Sequence, residues 1–116
     1  MTTYKRGDVV LVLFPNSDLQ TAKKRPALVV QADDLNTGIE QIIIAMITSN
    51  LARRNHPSRC FIAQDSPEGK QSGALTDSVV MTDNLAASFL KAIGSKIGAL
   101  SEMSPIEMAL RKTLGL

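Results

Sequence analysis

Apolar residues fall in short runs separated by polar turns, and this pattern predicts a chain built mainly of β-strands. The runs are rich in Val, Ile and Leu and are bounded by Gly, Pro, Asn and Asp, as is typical of strands. Several runs are nearly continuous rather than alternating, which predicts strands that are covered on both faces. The predicted strands span 8–14, 26–32, 40–48, 59–64, 73–82 and a shorter piece at 96–101.

Two segments show a helical spacing of apolar residues. Residues 104–116 start with Ser104 as the predicted N-cap, have Glu107 at capping-box spacing, and then carry an apolar residue at every fourth position. A shorter helix is predicted at 84–92, where an Asp-Asn pair can cap the first turn and a glycine follows the last. Residues 65–72, "DSPEGKQS", predict a loop.

These elements predict one domain over residues 1–116, a small, strongly curved and mostly antiparallel sheet or barrel with a C-terminal helix. The chain has no apolar run of about 18 residues and no apolar leader, so we expect a cytoplasmic protein that does not cross a membrane. The single cysteine, Cys60, suits a reducing compartment and has the surroundings of a small buried hydrophobe rather than a nucleophile.

Positive charge is concentrated in the first half of the chain. The net charge is only +2, yet residues 1–60 hold eight Lys or Arg against five Asp or Glu. Three consecutive cations, Lys23, Lys24 and Arg25, stand directly before Pro26 and a predicted buried strand. They are either a solvated loop end or a site where an arginine meets a phosphate.

Common catalytic motifs are missing from the sequence. There is no phosphate-binding glycine loop, no CxxC or HExxH pattern and only one histidine, and the carboxylates are scattered, so we expect no metal site and no cofactor. Polar residues at predicted strand ends remain as candidates. They are Arg25, Thr48, Ser49, the basic stretch with Arg53, Arg54 and His56, and Asp77.

Each candidate also has a structural interpretation. Thr48 and Ser49 could cap a strand end, since hydroxyl side chains commonly do so. Residues 53–59 are either a mobile basic loop or a patch that follows a nucleic-acid backbone. Asp77 is unusual inside a strand and therefore requires a partner.

The order of several segments resembles a known family. "RGDVVLVLFP", "KKRPALVVQ", "IIIAMITSN", "SGALTDSVVMTDNL" and "KIGALS" follow one another with the separations found in the MazF/PemK toxin endoribonucleases of type II toxin–antitoxin systems. The resemblance covers the chain from Arg6 to the last helix. It implies an SH3-like barrel related to the poison CcdB, a homodimer, a cognate antitoxin, and metal-independent cleavage of single-stranded RNA to 2′,3′-cyclic phosphate and 5′-hydroxyl ends.

The same resemblance implies roles for individual residues. Arg25 matches the family's catalytic arginine and Thr48 its active-site threonine, with Ser49 as a supporting contact. Asp77 lies where some members have an acidic residue, but those members have an arginine two positions earlier, where this chain has Leu75. The loop before Arg25 also lacks the histidine that some relatives carry there.

The residue types fit this chemistry because RNA supplies its own 2′-hydroxyl nucleophile. The protein then has to provide geometry and charge, for which a fork-shaped guanidinium is suited, whereas it is a poor base at neutral pH. Lys23 and Lys24 are expected to add positive potential at the entrance of the RNA-binding groove. Phe14 is either a base-stacking platform or a core residue. Loops 15–24 and 50–58 are expected to read the RNA.

Two other classes of function are consistent with the sequence. One is a non-catalytic, CcdB-like protein that binds a protein target. The other is a barrel that binds RNA with steep salt dependence and never cuts it.

Overall fold

Six antiparallel strands form one sheet, and a helix from the end of the chain packs against it. The computed structural model describes residues 4–15, 18 and 20–116. The strand order across the sheet is β4–β5–β3–β2–β1–β6. The elements are β1 (Asp8–Pro15), β2 (Ala22–Val29), β3 (Gln41–Thr48), β4 (Arg59–Ile62), α1 (Pro67–Ser72), β5 (Ser78–Phe89), a 3₁₀ turn (Leu90–Ala92), β6 (Ile93–Ala99) and α2 (Ser104–Leu114).

The sheet buries side chains on both of its faces, which confirms the expectation drawn from the continuous apolar runs. The first cluster, which we call the helix-side core, includes residues that precede and belong to α2. Its members are Val9, Leu28, Ala45, Ile62, Val80, Leu100, Met103 and Ile106. The second cluster, the sheet-side core, has no member from either described helix. Its members are Val10, Val12, Ala27, Val29, Ile42, Ile44, Met46 and Ile93.

Strand β2 begins earlier and ends earlier than the predicted 26–32. Lys24 is paired with Leu13 of β1, and Arg25 with Val12. The three cations therefore belong to a strand, and their placement in a loop end is wrong. Cross-strand pairing explains the difference, because a charged residue can remain exposed in a strand whose other positions are anchored.

The helix predicted at 84–92 is wrong, because this stretch is the second half of β5. Leu85 pairs with Ala45 of β3 and Phe89 with Gln41. Its apolar spacing fits a helix locally, but pairing along β3 overrides local preference. A register shift between Ala45 and Met46 lets the strand of 12 residues continue past an irregularity.

The loop predicted at 65–72 is also wrong, since residues 67–72 form α1. The Ser66 side chain caps the helix by accepting a hydrogen bond from the Gly69 N–H at 3.0 Å. Gly73 ends it in a left-handed conformation with φ of 74°. These are ordinary start and stop signals around a helix that is too short to show a periodic apolar pattern.

Helix α2 is confirmed, with its N-cap at Met103 rather than Ser104. The Ser104 N–H is instead a donor to Glu102 Oε1 at 2.9 Å. Hydrogen bonds from Ser104, first from its side chain and then from its backbone, hold the pKa of Glu102 below its ordinary value. Within the described ranges, no helix has both the length and the apolar character that a membrane crossing requires.

Candidate functional site

A groove of about 500 Å³ opens on the helix side of the sheet, where β2 and β3 diverge. Its rim carries the polar and cationic side chains of Lys23, Lys24, Arg25, Thr48 and Ser49. Its floor is apolar, and its outer wall comes from the segment that joins α1 to β5. The floor residues include Val9, Leu11, Ile47, Ile62 and Ile97.

Strand register brings Arg25 and Thr48 to the same groove. The β2–β3 pairing runs from Val29–Ile44 to Ala27–Met46. Extended by two residues, the same register sets Arg25 opposite Thr48. Pro26, which has no N–H to donate, stands directly before Ala27, the first residue of β2 that pairs with β3, so the two strands separate there.

Arg25 and Thr48 are each held by an outer neighbour while the space between them opens. Arg25 is paired with Val12 of β1. Thr48 is paired with Val79 of β5. Two residues distant in the sequence are therefore fixed on either side of one cleft by backbone pairing.

The cations at the groove are exposed, as a site for a phosphate backbone requires. Lys23, Lys24 and Arg25 are all exposed at the solvent end of β2. Among the residues that the structure describes, no carboxylate forms an ion pair with Lys23 or Lys24. Their positive charge is therefore available to attract an anion to the groove.

Thr48 and Ser49 supply hydroxyl groups at the end of β3. Thr48 Oγ1 accepts a hydrogen bond from the Asn50 N–H at 3.1 Å. A hydroxyl that accepts one bond still has its own proton to donate. The capping interpretation of Thr48 is thus correct for its oxygen, and it leaves a donor at the groove.

The turn before β2 is fixed by a carboxylate. Asp18 Oδ1 accepts hydrogen bonds from the backbone of Thr21 at 3.0 Å and of Gln20 at 2.9 Å. These bonds, that from Thr21 first, lower the pKa of Asp18 from its ordinary value. The Asp18 carboxylate is therefore occupied in fixing the turn that precedes β2.

Asp77 lies beside the groove without lining it. Its Oδ1 accepts a hydrogen bond from the Gln64 N–H at 2.8 Å, whereas its neighbours Thr76 and Ser78 do line the groove. The partner that an aspartate at this position requires is therefore the turn after β4. The side chain ties the start of β5 to that turn.

Phe14 is half-buried and packs against the sheet-side core. It is paired with Lys23 across β1 and β2. The groove lining does not include it. The structure therefore gives Phe14 a packing role, and its role as a stacking platform stays a prediction.

Arg53, Arg54 and His56 lie on the segment between β3 and β4, outside the groove lining. The Arg54 guanidinium is 6.0 Å from the centre of the Phe61 ring. His56 Nδ1 is 2.7 Å from Ser58 Oγ. The segment starts at the groove with Ser49 and carries these three side chains away from it.

The outer wall of the groove, residues 72–76, was missed at the level of sequence. Gly73 lies so close to Ile97 of β6 that a Cβ on the glycine would collide with the Ile97 carbonyl. Gly98 is equally close to the end of α1. Two glycines about 25 residues apart were the available signal, since close backbone approach is a common reason for glycine.

The fold is an antiparallel sheet with a terminal helix and a cationic groove. A comparison with known families identifies the class of protein that has this fold. Residues 5–114 match the model of the family described as the PemK-like, MazF-like toxin of type II toxin–antitoxin systems. The chain belongs to this family, and the resemblance drawn from the sequence is confirmed.

Individual relatives cover nearly the whole chain. Endoribonuclease MazF6 of Mycobacterium tuberculosis is 30% identical over 107 residues, 90% of each protein. Endoribonuclease MazF of Staphylococcus epidermidis is 30% identical over 115 residues, 97% of this chain and 92% of that protein. A solved mycobacterial endoribonuclease in complex with its cognate antitoxin has the same fold, with a TM-score of 0.74 at 22% identity over 98% of this chain and 97% of that one.

Proposed function

We propose that this toxin is an endoribonuclease that cuts single-stranded RNA without a metal ion, at the groove between β2 and β3. The observation that carries the proposal is the placement of Arg25 and Thr48 on the same cationic groove. Membership of the PemK-like, MazF-like family and the names of the two curated relatives support it.

The proposed reaction is a transesterification within the RNA. The 2′-oxygen loses its proton and attacks the adjacent phosphorus, the bond to the 5′-oxygen breaks, and that oxygen takes up a proton. The products are a 2′,3′-cyclic phosphate and a 5′-hydroxyl. The nucleophile and the leaving group both belong to the substrate, so the protein contributes position and charge.

Arg25 is proposed to hold the scissile phosphate and to stabilise the additional charge of the phosphorane. A guanidinium stays protonated at every working pH and can donate two parallel hydrogen bonds to phosphate oxygens. The Thr48 hydroxyl donates from the opposite side of the groove, with Ser49 as the adjoining contact. Lys23 and Lys24 attract the backbone on either side of the reacting phosphate.

The apolar floor suits the flat face of a base that has left its stack. Leu11 and Ile47, which are partly exposed, offer such a surface beneath the cationic rim. Arg53 and Arg54 are proposed to meet RNA beyond the groove, on the segment that continues from Ser49, and Phe14 to meet it next to Lys23. Asp77 contributes by fixing the wall rather than by touching RNA.

We further propose that residues 1–116 act as one domain in the cytoplasm, as a homodimer that a cognate antitoxin inhibits. The solved complex of a mycobacterial relative with its antitoxin supports the last point. An SH3-like barrel accounts for the sheet-side core, because strong curvature of the sheet can cover this face without a helix. A sedimentation measurement at micromolar concentration should give twice the 12.5 kDa of one chain; a single 12.5 kDa species contradicts the dimer.

The proposed activity is tested with a long single-stranded RNA in excess EDTA. Wild-type protein should produce fragments with cyclic phosphate ends. Arg25→Ala should lower the rate by a factor of about 10²–10³, as loss of one transition-state donor does. Arg111→Ala, which removes an exposed cation from α2, is the matched control and should cut at the wild-type rate.

Two further measurements separate the alternatives. A substrate with 2′-deoxyribose at the cut position should stay intact, because its nucleophile is missing. Arg25→Ala should keep the wild-type thermal midpoint, and a variant that unfolds would assign Arg25 a structural role. RNA that wild-type protein leaves whole would contradict the nuclease and favour the CcdB-like or RNA-binding alternative.

A further inference from the structure

A hydrogen-bonded cluster holds the end of segment 49–58 that lies away from the groove. We call it the anchor cluster, and it consists of His56, Ser58, Arg59, Thr82 and Asp83. Ser58 is buried at 6% exposure and Thr82 is fully buried. Buried polar side chains are costly unless they are bonded, so these two residues have a definite geometry.

Ser58 is the centre of the anchor cluster. Its carbonyl oxygen accepts hydrogen bonds from the Thr82 N–H at 3.1 Å and from Thr82 Oγ1 at 2.6 Å. Its hydroxyl is a donor to Asp83 Oδ2 at 3.3 Å. Thr82 also touches Thr113 of α2 through an oxygen–oxygen contact of 2.8 Å. Ser58 is therefore fastened to β5, and through it to α2.

Asp83 is held as a carboxylate by Arg59. Arg59 Nη2 donates to Asp83 Oδ2 at 3.2 Å, and Arg59 Nε lies 2.8 Å from Oδ1 outside hydrogen-bonding geometry. Burial acts to raise the pKa of Asp83, but the hydrogen bond and charge of Arg59 outweigh it and lower the pKa below its ordinary value. The acceptor for Ser58 is thus negative at neutral pH.

His56 closes the cluster from the segment's own side. The Ser58 N–H donates to His56 Nδ1 at 3.1 Å, and Ser58 Oγ is 2.7 Å from the same nitrogen. The bond from the Ser58 N–H needs Nδ1 as an acceptor, whereas a Ser58 hydroxyl that donates to Asp83 can only accept from a proton on Nδ1, so these two arrangements belong to different tautomers of His56. In either tautomer a hydrogen bond joins Nδ1 to Ser58.

Consecutive turns connect this cluster to the groove. Each turn shares a residue with the next or lies directly beside it, so hydrogen bonds constrain the backbone continuously from Thr48 to His56. The bonds run from the Asn50 N–H to Thr48 Oγ1 at 3.1 Å, Ala52 N–H to Asn50 Oδ1 at 3.0 Å, Arg54 N–H to the Leu51 carbonyl at 3.1 Å and His56 N–H to the Arg53 carbonyl at 3.0 Å.

We propose that His56 and Ser58 are positioning residues for RNA cleavage, which act through segment 49–58 to hold Thr48 and Ser49 in a productive geometry. This inference rests on the proposed nuclease activity. It gives His56 a role in fixing the segment in place of direct contact with RNA.

Charged groups lie around the anchor cluster on three other elements. They are Asp83 of β5, Arg59 of β4 and Lys112 of α2.

The test compares steady-state cleavage by wild-type protein and four variants at neutral pH. His56→Gln should keep kcat within about twofold, because its amide can accept the Ser58 N–H or donate to the Ser58 hydroxyl. His56→Ala and Ser58→Ala should lower kcat by about tenfold or more with little change in KM, since small displacements of reacting groups are costly. Ser88→Ala, on the part of β5 that pairs with Ile42, is the matched control.

Rescue by the amide sharpens the test. A His56→Gln variant that loses as much kcat as His56→Ala would overturn the proposal. So would a His56→Ala variant that folds and keeps kcat, or one that raises KM alone, which would assign His56 to direct RNA contact. If Ser58→Ala does not fold, the two His56 variants decide.

A second readout separates this inference from the nuclease proposal. If wild-type protein does not cut RNA, the nuclease proposal fails by itself. Amide hydrogen exchange in residues 50–54 then tests the coupling. Faster exchange in His56→Ala than in His56→Gln supports it, and equal exchange overturns it.

Discussion

The two halves of β2 differ in almost every physical respect although they are one continuous strand. Residues 22–25 are exposed and mostly cationic, whereas Ala27, Leu28 and Val29 have no accessible surface. Pro26 lies between them. The first half borders the groove, while the second half contributes to both cores.

This difference assigns the two expected roles of β2, ligand binding and stability, to different halves of one strand. The buried half gains its energy from apolar contact, and its pairing with β1 and β3 fixes the direction of the exposed half. The exposed half can therefore present charge to a ligand. Substitutions on the two sides of Pro26 should affect different measurements.

The largest expected effect is on stability, from the buried half. Leu28→Ala should lower the free energy of unfolding by about 2–5 kcal/mol, because it leaves a cavity in the helix-side core. Denaturant titration measures the change. Leu35→Ala, at an exposed leucine, should cost less than about 0.5 kcal/mol. A Leu28→Ala protein of wild-type stability would contradict the division, as would one whose folded molecules cut RNA more slowly.

A smaller effect is expected from the exposed half, and on RNA binding alone. Lys23→Ala or Lys24→Ala should each reduce the slope of log affinity against log salt by about 0.7, the contribution of one contact to single-stranded phosphate. Fluorescence anisotropy at several salt concentrations measures the slope. Lys91→Ala, a cation beside Phe89 at the far end of β5, should leave it unchanged. Unaltered slopes in both groove variants would place the RNA elsewhere.

The smallest expected effect is on stability and comes from Asp83, an exposed residue of the anchor cluster. A carboxyl group whose pKa is lowered on folding stabilises the protein above its ordinary pKa of 3.8 and loses that contribution as the pH falls through the lowered value. Asp83→Asn should therefore cost less than about 1 kcal/mol at neutral pH, because Asp83 itself is exposed to solvent. The cost should disappear in acid. Urea titrations at several pH values measure it, and a pH-independent cost would contradict the ionic origin.

The family, the antiparallel sheet and the terminal helix were accessible from the sequence because their signals are local and repeated. Apolar runs identify strands, and the ordered motifs around Arg25 and Thr48 indicate the family. Residues 84–92 were beyond this approach, because their spacing fits a helix equally well. Only the partner strand β3 decides that they extend β5.

The sequence predicts which residues form the site, but it predicts their arrangement in space only in part. The motifs select Arg25 and Thr48, but the cleft between them depends on where β2–β3 pairing stops. The outer wall and the anchor cluster depend on contacts over long sequence separations, such as Ser58 with Thr82. Ser58 has no distinguishing pattern in the sequence, and its importance follows from burial.

The pairing of β1 with β6 determines the order in which the molecule can become functional. Val12 is paired with Ile93, so this contact closes a loop of about eighty residues. Non-local pairings of this kind form late and slow the search for the native state. Groove residues Leu11 and Ile97 belong to these two strands. The pairing of β1 with β2 closes a much shorter loop, so we expect a refolding chain to form this hairpin before β6 docks and completes the groove.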